Sequence, residues 1–339
     1  MTDMTPAPDA PRRRVTRADV ARYAGVSPAV VSYTVNSGPG PVAASTRARV
    51  EDAIRVLGYR PNAAARTLKM GSTKLLGVVV PDSSNPFFAR LGHALEDAAT
   101  ARGYALIVAN VEGAPENYAP GIRNLASRQV DGILSAADVS VGSLTALAES
   151  GVPAVLLNQF EAVEGLQAIG PDLYGGARTA MEHLLWHGHK NIAFVGETGP
   201  RDLRERGWRD ALAEAGRPPG RAVAGAYTRE GGYAAGQALL ASGNTPTAIF
   251  ASSDQQGVGV LRALHEANVP VPQQIAIVSF DGSPESEYSW PALTTLEQPV
   301  QEMAIDAIEK LLHPIAVSSF TLYASTLIVR QSCGCAARY

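Results

Sequence analysis

The sequence predicts an α/β protein: an all-helical helix-turn-helix head with a hinge helix, followed by a body of two α/β lobes. Three observations carry that reading. Residues 1–70 hold 11 Lys+Arg against 5 Asp+Glu, while the remainder holds 18 against 27, so a basic head precedes an acidic body although the formal net charge is only −3. The head places two short capped helical patterns around a glycine turn. The body alternates short apolar runs with helix-patterned stretches from Lys74 onward, the signature of parallel sheets covered by helices on both faces. A length of 339 residues with 46% hydrophobic residues accommodates this without staples.

Residues 1–11 (MTDMTPAPDAP) carry three prolines and no apolar period, and with Arg12-Arg13-Arg14 they form an expected disordered arm at 1–14. Order is expected to begin in a helical domain at 15–60. Thr16 is a good N-cap with Asp19 three residues on, Val20, Ala21 and Ala24 face inward, and Gly25 can end the helix in the left-handed conformation. Val26 packs in the turn. Ser27 caps a second helix with Pro28 at its first position and Val30, Val31 and Val35 as its buried face, stopped by Asn36-Ser37-Gly38-Pro39. A third helix is read as capped by Ser45, with Val50, Ile54 and Leu57 covering the first two, and it stops at Gly58. Such a unit presents its second helix to the DNA major groove.

Pro61 to Lys69 is alanine-rich with a cap-like Asn62, but at under ten residues it is marginal as an isolated helix. In the body, strands are expected at Leu75–Val80, Ala105–Ala109, Gly132–Leu134, Ala154–Leu157, Ile192–Val195, Ala248–Phe250 and Ile275–Phe280. Helices are expected between them, for example Phe87–Arg102 and Leu173–His187. Ala114–Gly121 (APENYAPG) suggests a delayed or broken helix. Ligands of such folds bind beyond the carboxyl ends of the strands and between facing lobes.

The run VTRADVARYAGVSPAVVSYTVN followed by STRARVEDAIRVLGYRPNAAARTLK resembles the headpiece of the lactose-repressor (LacI/GalR-type) family of bacterial transcription regulators. The resemblance continues through NPFF at 85–88, VDGIL at 130–134, SSD at 252–254, VSFD at 278–281, PALTT at 291–295 and VRQSCG at 329–334, covering essentially the chain from Val15 onward. It implies a periplasmic-binding-protein-like type I body at 74–332. The lobes would be about 74–171 plus 299–323 and about 172–298 plus 324–332, crossing near Asp172, Pro299 and Tyr323–Ser325.

It also implies roles. Pro28, Ala29 and Tyr33 match base-reading positions, and Ser32 and Asn36 backbone-contacting or structural ones. Proline and alanine offer only apolar contact or close approach, so Tyr33 is the discriminating reader. Thr16, Ser27, Ser45, Thr46 and Arg47 face phosphates. In the hinge helix (61–70), which two copies form on DNA, Leu68 matches a minor-groove wedge. Ala65 permits close approach, Lys69 contacts the groove or phosphate, and Asn62 caps. Effector candidates by position are Asp82, Asn85, Phe87, Phe88, Asp138, Asn158 with Gln159, Arg204, Tyr227, Ser253, Asp254, Asp281 and Gln298. Aromatic faces with convergent carboxylate and guanidinium groups suit a sugar or nucleoside. Phe87 could equally be core, and Asp254 reads more readily as a cap. Ser253 stands where many relatives carry Asn, and that departure weakens the transfer of any specific sugar preference.

The function expected is a sequence-specific regulator, a repressor, whose homodimer binds a palindromic operator and is switched by a small molecule between the lobes. Two cysteines near the C-terminus fit a reducing cytoplasm, and no apolar run is long enough to span a membrane. No GxSxG, HExxH or phosphate-cradling glycine loop appears, so neither an enzyme nor a cofactor is expected. The alternative, a transport-type sugar-binding protein, would need an export signal and no basic head. His183, His187 and His189 read as an ordinary helix terminus and Cys333-Gly334-Cys335 as structural, with no metal assigned. The chain stops at Tyr339 without leucine heptads, which favours a dimer over a tetramer.

Overall fold

The computed structural model describes residues 15–36, 42–60, 71–112, 115–136, 140–199, 202–315 and 317–335. The expectations for the arm at 1–14, for the hinge residues Asn62, Ala65, Leu68 and Lys69, and for Asp138 lie outside the described residues. The chain divides into two compact units, Met1–Thr73 and Lys74–Tyr339.

In the head, α1 (Arg17–Ala24), α2 (Pro28–Asn36) and α3 (Ala44–Leu57) pack around Val20, Ala21, Ala24, Val31, Val50 and Ala53, with Tyr59 closing the base. Thr16 and Asp19 form a reciprocal capping box, the Thr16 amide donating to Asp19 Oδ2 at 2.9 Å, and Gly25 takes the left-handed conformation at φ 66°. One cap differs from expectation. Helix α3 starts at Ala44 with Ala43 in the N-cap position and no side-chain cap, because Ala43 is still extended and its carbonyl already accepts from the Thr46 and Arg47 amides at 2.9 Å. Ser45 therefore lies inside the first turn.

The body contains two six-stranded sheets. The first is built from β1 (Leu75–Val80), β2 (Ala105–Asn110), β3 (Gly132–Ser135), β4 (Ala154–Leu156), β5 (Gln167–Pro171) and β11 (Ser319–Tyr323). Their order is β11-β5-β4-β3-β1-β2 and all pairings are parallel. The second is built from β6 (Ile192–Gly196), β7 (Ala222–Ala224), β8 (Ala248–Ala251), β9 (Ala276–Asp281), β10 (Thr294–Glu297) and β12 (Thr326–Ile328), in the order β12-β10-β9-β8-β6-β7. Only its β10–β12 pair is antiparallel. Each sheet reverses its strand order once, between β1 and β3 and between β6 and β8. Those reversals are where open α/β sheets leave a crevice.

Strand periodicity feeds both layers of each lobe. Val78 packs with α4 (Pro86–Thr100) and α11 (Val300–Leu312), whereas its neighbour Val79 packs with α5 (Pro115–Ser127) and α6 (Val141–Ser150). In the second sheet Phe194 faces α7 (Leu173–Trp186) and α8 (Leu203–Glu214). Val195 faces α9 (Arg229–Leu240) and α10 (Asp254–Glu266). The expected break at Ala114–Gly121 is corrected. Helix α5 begins at Pro115, where proline is favourable, and runs through Pro120 in its second turn. Burial of Tyr118, Ile122 and Leu125 offsets the lost hydrogen bond.

The chain passes between the sheets after β5, after β10 and between β11 and β12. The first and last passages are tied together by the Asp172 amide, which donates to the Tyr323 carbonyl at 2.8 Å. Helices α9 and α10 approach through glycines. A Cβ at Gly259 would collide with the Arg229 carbonyl oxygen, and one at Gly236 would stand 2.8 Å from Ala263 Cβ. Gly259→Ala should therefore lower unfolding free energy by about 1–3 kcal/mol, read as a reduced urea midpoint. A variant as stable as the parent would refute the close seam.

Candidate functional site

The head presents one face of α2 to solvent. Pro28 and Ala29 are exposed, Tyr33 is 41% exposed and Ser32 is half-buried, so the reading positions are clear of the head's core. Thr34 turns inward and donates to the Val30 carbonyl at 2.9 Å. Ser27 Oγ accepts from the Val30 amide at 3.4 Å, and Asn36 is the last residue of the helix. Thr16 is exposed on the first cap, and Ser45 and Arg47 are exposed on the first turn of α3 with Thr46 half-buried. The open amides of such a turn suit an anion.

In the body, the strand ends of the second sheet bring a polar cluster together around a guanidinium. Arg204, in the first turn of α8, has a side chain only 12% exposed. It donates from Nη1 to the Ser252 carbonyl at 2.9 Å and from Nη2 to the Tyr227 hydroxyl, and its Nε lies 3.4 Å from Asp202 Oδ1. The guanidinium carbon stands 4.8 Å from the Tyr227 ring centroid and 5.9 Å from that of Phe280. Burial opposes its charge, but Tyr227, Asp202 and Asp281 outweigh that and hold its pKa above the usual value. Tyr227 lies three residues past β7 rather than at its end. Burial raises its hydroxyl pKa well above the ordinary tyrosine value.

Sequence reasoning missed Asp202. It caps α8, accepting from the Arg204 amide at 2.8 Å, and it also accepts from the Tyr227 hydroxyl at 3.1 Å. The signal was local: an Asp directly before Leu203-Arg204-Glu205 reads as an N-cap. Gln256 was also missed. Its Nε2 donates to the Gly225 and Ala226 carbonyls at 2.8 and 3.0 Å, fixing the segment that carries Tyr227.

Asp281 closes the cluster from the end of β9. It is non-glycine at φ 108° and 8% exposed, and its Oδ1 accepts from Gln298 Nε2 at 2.8 Å. Gln298 Oε1 is buried with no hydrogen-bond partner. Burial and then the nearby Asp254 carboxylate push the Asp281 carboxyl up to about 8, against the pull of Arg204.

Other predicted residues have structural tasks. Asp254 uses both oxygens on the protein, accepting from Ser279 and Thr295 hydroxyls at 2.6 and 2.7 Å and from the Ser283 amide at 2.6 Å. It is Ser253, not Asp254, that caps α10. Asn85 caps α4 through the Phe87 amide at 2.9 Å, Phe87 lies in the first lobe's core against Phe88, and Asp82 accepts from Ser84. Asn158 holds a left-handed backbone at φ 55° beside Gln159, which donates to the Leu157 carbonyl at 2.9 Å. The first lobe contributes an unforeseen contact. Arg90 of α4 donates to the Asp281 and Gly282 carbonyls and, at 2.9 Å, to Glu297 Oε1. The helix-terminus reading of His183 and His187 also omitted a neighbour that chain closure supplies: Cys335 Sγ lies 3.1 Å from His187 Nε2.

A helix-turn-helix head on a two-lobed α/β body with a polar cluster at its strand ends defines an allosteric DNA-binding regulator. Residues 16–62 match the family model described as bacterial regulatory proteins, lacI family, and residues 181–333 match that of the periplasmic binding protein-like domain. Catabolite control protein A of Priestia megaterium is 36% identical over 304 residues, covering 88% of this chain and 91% of the relative. The ribose operon repressor of Escherichia coli K12 is 34% identical, covering 88% and 93%. A lac repressor dimer bound to operator and an anti-inducer superposes with TM-score 0.83 at 28% identity, covering 95% of this chain and 99% of that one. The chain belongs to the lacI family of bacterial regulatory proteins, which displaces the alternative of a transport-type sugar-binding protein. Among the described residues no helix is long and apolar enough to cross a membrane.

The raised Asp281 carboxyl has a consequence for stability. Folded Asp281 holds its proton more tightly than the unfolded chain, where a carboxyl titrates near about 4. It thus contributes stability that is complete below about pH 4 and is lost as pH rises through about 8. Urea midpoints should fall between about pH 5 and about pH 8, and Asp281→Asn should reduce that fall. An unchanged slope in the variant would assign the effect to other groups.

Proposed function

We propose that the protein is a repressor whose homodimer binds a palindromic operator and whose affinity is switched by a hydroxylated small molecule, a sugar or nucleoside-like metabolite, held between the lobes. It works in the cytoplasm by binding rather than by catalysis. Two-fold symmetric protein matches two-fold symmetric DNA, with α2 in each major groove and paired hinge helices at 61–70 placing Leu68 in the central minor groove. The observation that carries the effector reading is the convergence of Arg204, Tyr227 and Asp281 beside a buried, unpartnered Gln298 Oε1. An acceptor, a carboxyl, a guanidinium and an aromatic face are what a ring bearing hydroxyls requires. Family members support the class. A CelR structure is a cellobiose complex, and an Enterococcus faecium regulator structure holds ribose.

Coupling follows from differential affinity: the ligand shifts the lobes only by as much as it prefers one arrangement. Arg90 places that choice beside the site, because its bonds from the first lobe end on the backbone of Asp281 and Gly282.

Two measurements test the reading. In gel-shift titrations on duplexes selected from a random palindromic pool, Tyr33→Ala should weaken selected-site binding about tenfold and Leu68→Ala more, with little change on random duplex. No preference for any symmetric duplex would end the proposal. In a thermal-shift screen of sugars and nucleosides, at least one compound should raise the melting temperature, and Arg204→Lys should abolish the shift. Silence across both classes, or an unaltered response in the variant, would remove this pocket.

A further inference from the structure

Helix α7 ends in His183-Leu184-Leu185-Trp186-His187, which sets two imidazoles one turn apart on the same face. The end of the chain returns to that face. After β12 it is held by bonds that do not involve its cysteines. Ser332 Oγ donates to the Ile277 carbonyl at 2.7 Å and accepts from the Thr294 amide at 2.8 Å. The Gly334 amide donates to the Gln331 carbonyl at 3.3 Å. Gly334, at φ 94°, turns the backbone between Cys333, buried in the core beside α7, and half-buried Cys335.

Four soft donor atoms thereby meet. One atom each from His183, His187, Cys333 and Cys335 lies within 4.8 Å of all the others. His187 Nε2 is 3.1 Å and His183 Nε2 3.8 Å from Cys335 Sγ. Tetrahedral zinc, with bonds of about 2.3 Å to sulfur and about 2.0–2.1 Å to nitrogen, sets neighbouring donors roughly 3.3–3.8 Å apart. The cluster is within about an ångström of that arrangement throughout. The H-x3-H spacing matches common zinc sites, although C-x-C is one residue shorter than usual. Trp186 stacks on His183 at 6.1 Å between centroids and meets His187 edge-on at 4.8 Å, so both imidazoles pack against its ring. The C-terminal end of a helix also favours a cation.

We propose that His183, His187, Cys333 and Cys335 form a closed Cys2His2 site for a thiophilic divalent cation, zinc above all, that pins the end of the chain to α7. Hard cations such as magnesium and calcium require oxygen donors and are excluded by this set. Four protein donors leave no open position, so the ion's task is structural. His187 precedes β6 while Arg204 follows it, so the site lies at the opposite end of the second sheet from the effector cluster. The two can be perturbed separately.

The test uses the untagged full-length chain, reduced, stripped with a chelator and titrated with cobalt(II) and then zinc(II). One equivalent of cobalt should produce the strong ligand-field absorption of a tetrahedral ion with thiolate charge-transfer bands, and zinc should bleach both. Saturating zinc should raise the melting temperature by roughly 5 °C or more. Cys335→Ser and His187→Gln, both at partly exposed positions, should keep the parent's circular dichroism and lose both responses. A weak six-coordinate cobalt spectrum, or variants that bind metal as the parent does, would overturn the site.

Discussion

A guanidinium withdrawn from water must be met by acceptors and opposing charge on every side, and that requirement organises the second lobe. Arg204 is satisfied by a carboxylate from its own helix cap, a hydroxyl from the loop after β7 and a carbonyl from the loop after β8. Three segments far apart in sequence are thereby fixed to one planar fork. Removing a single partner from such a buried set costs about 3–5 kcal/mol, because the charge that remains has lost its compensation. The same fork leaves Asp281 close enough to feel Arg204, so the proposed ligand would find a charged wall and a carboxyl to bridge.

The proposed site also touches the contact between lobes. The backbone after β9 is held from two directions. Asp254 bonds the Ser283 amide within the second lobe, and Arg90 bonds the Asp281 and Gly282 carbonyls from the first. A ligand that engages the Asp281 side chain acts on the residue whose main chain carries the contact between lobes. The Asp172–Tyr323 bond ties two of the crossing segments together where the lobes meet.

Much of this was legible in the chain, for physical reasons that also mark the limit. Central strands such as Leu75–Val80 are buried on both faces and read as uninterrupted apolar runs. Strands β5 (QAIGP), β10 (TTLE) and β11 (SFTLY) carry glycine and proline or several hydroxyls in place of an apolar run, and tertiary pairing with their sheet neighbours rather than local pattern makes them strands. The caps of α1 and α2 are side-chain events and were visible. That of α3 is a backbone event at an alanine and was not. Arg204, Tyr227, Asp281 and Gln298 could be placed by position, but Asp202 hid behind its capping role, Asn85 also caps α4, and both Asp254 oxygens bond within the protein. No local pattern could join His187 to Cys335 across 148 residues.

The head carries its own constraint. Proline and alanine occupy the exposed first turn of α2, where a reader would be expected to reach bases, and neither has a side-chain donor or acceptor. In the proposed complex, direct readout therefore rests on Tyr33 and on methyl contacts, which discriminate less than a bidentate pair. The remaining selectivity must come from what symmetry and deformation supply: the spacing of two half-sites and the cost of opening the central step. Both depend on how far apart the two heads are held, and in the proposed mechanism that distance is what a change of lobe angle would alter. On that proposal, weak base-reading chemistry at α2 would make DNA recognition more, not less, responsive to the body.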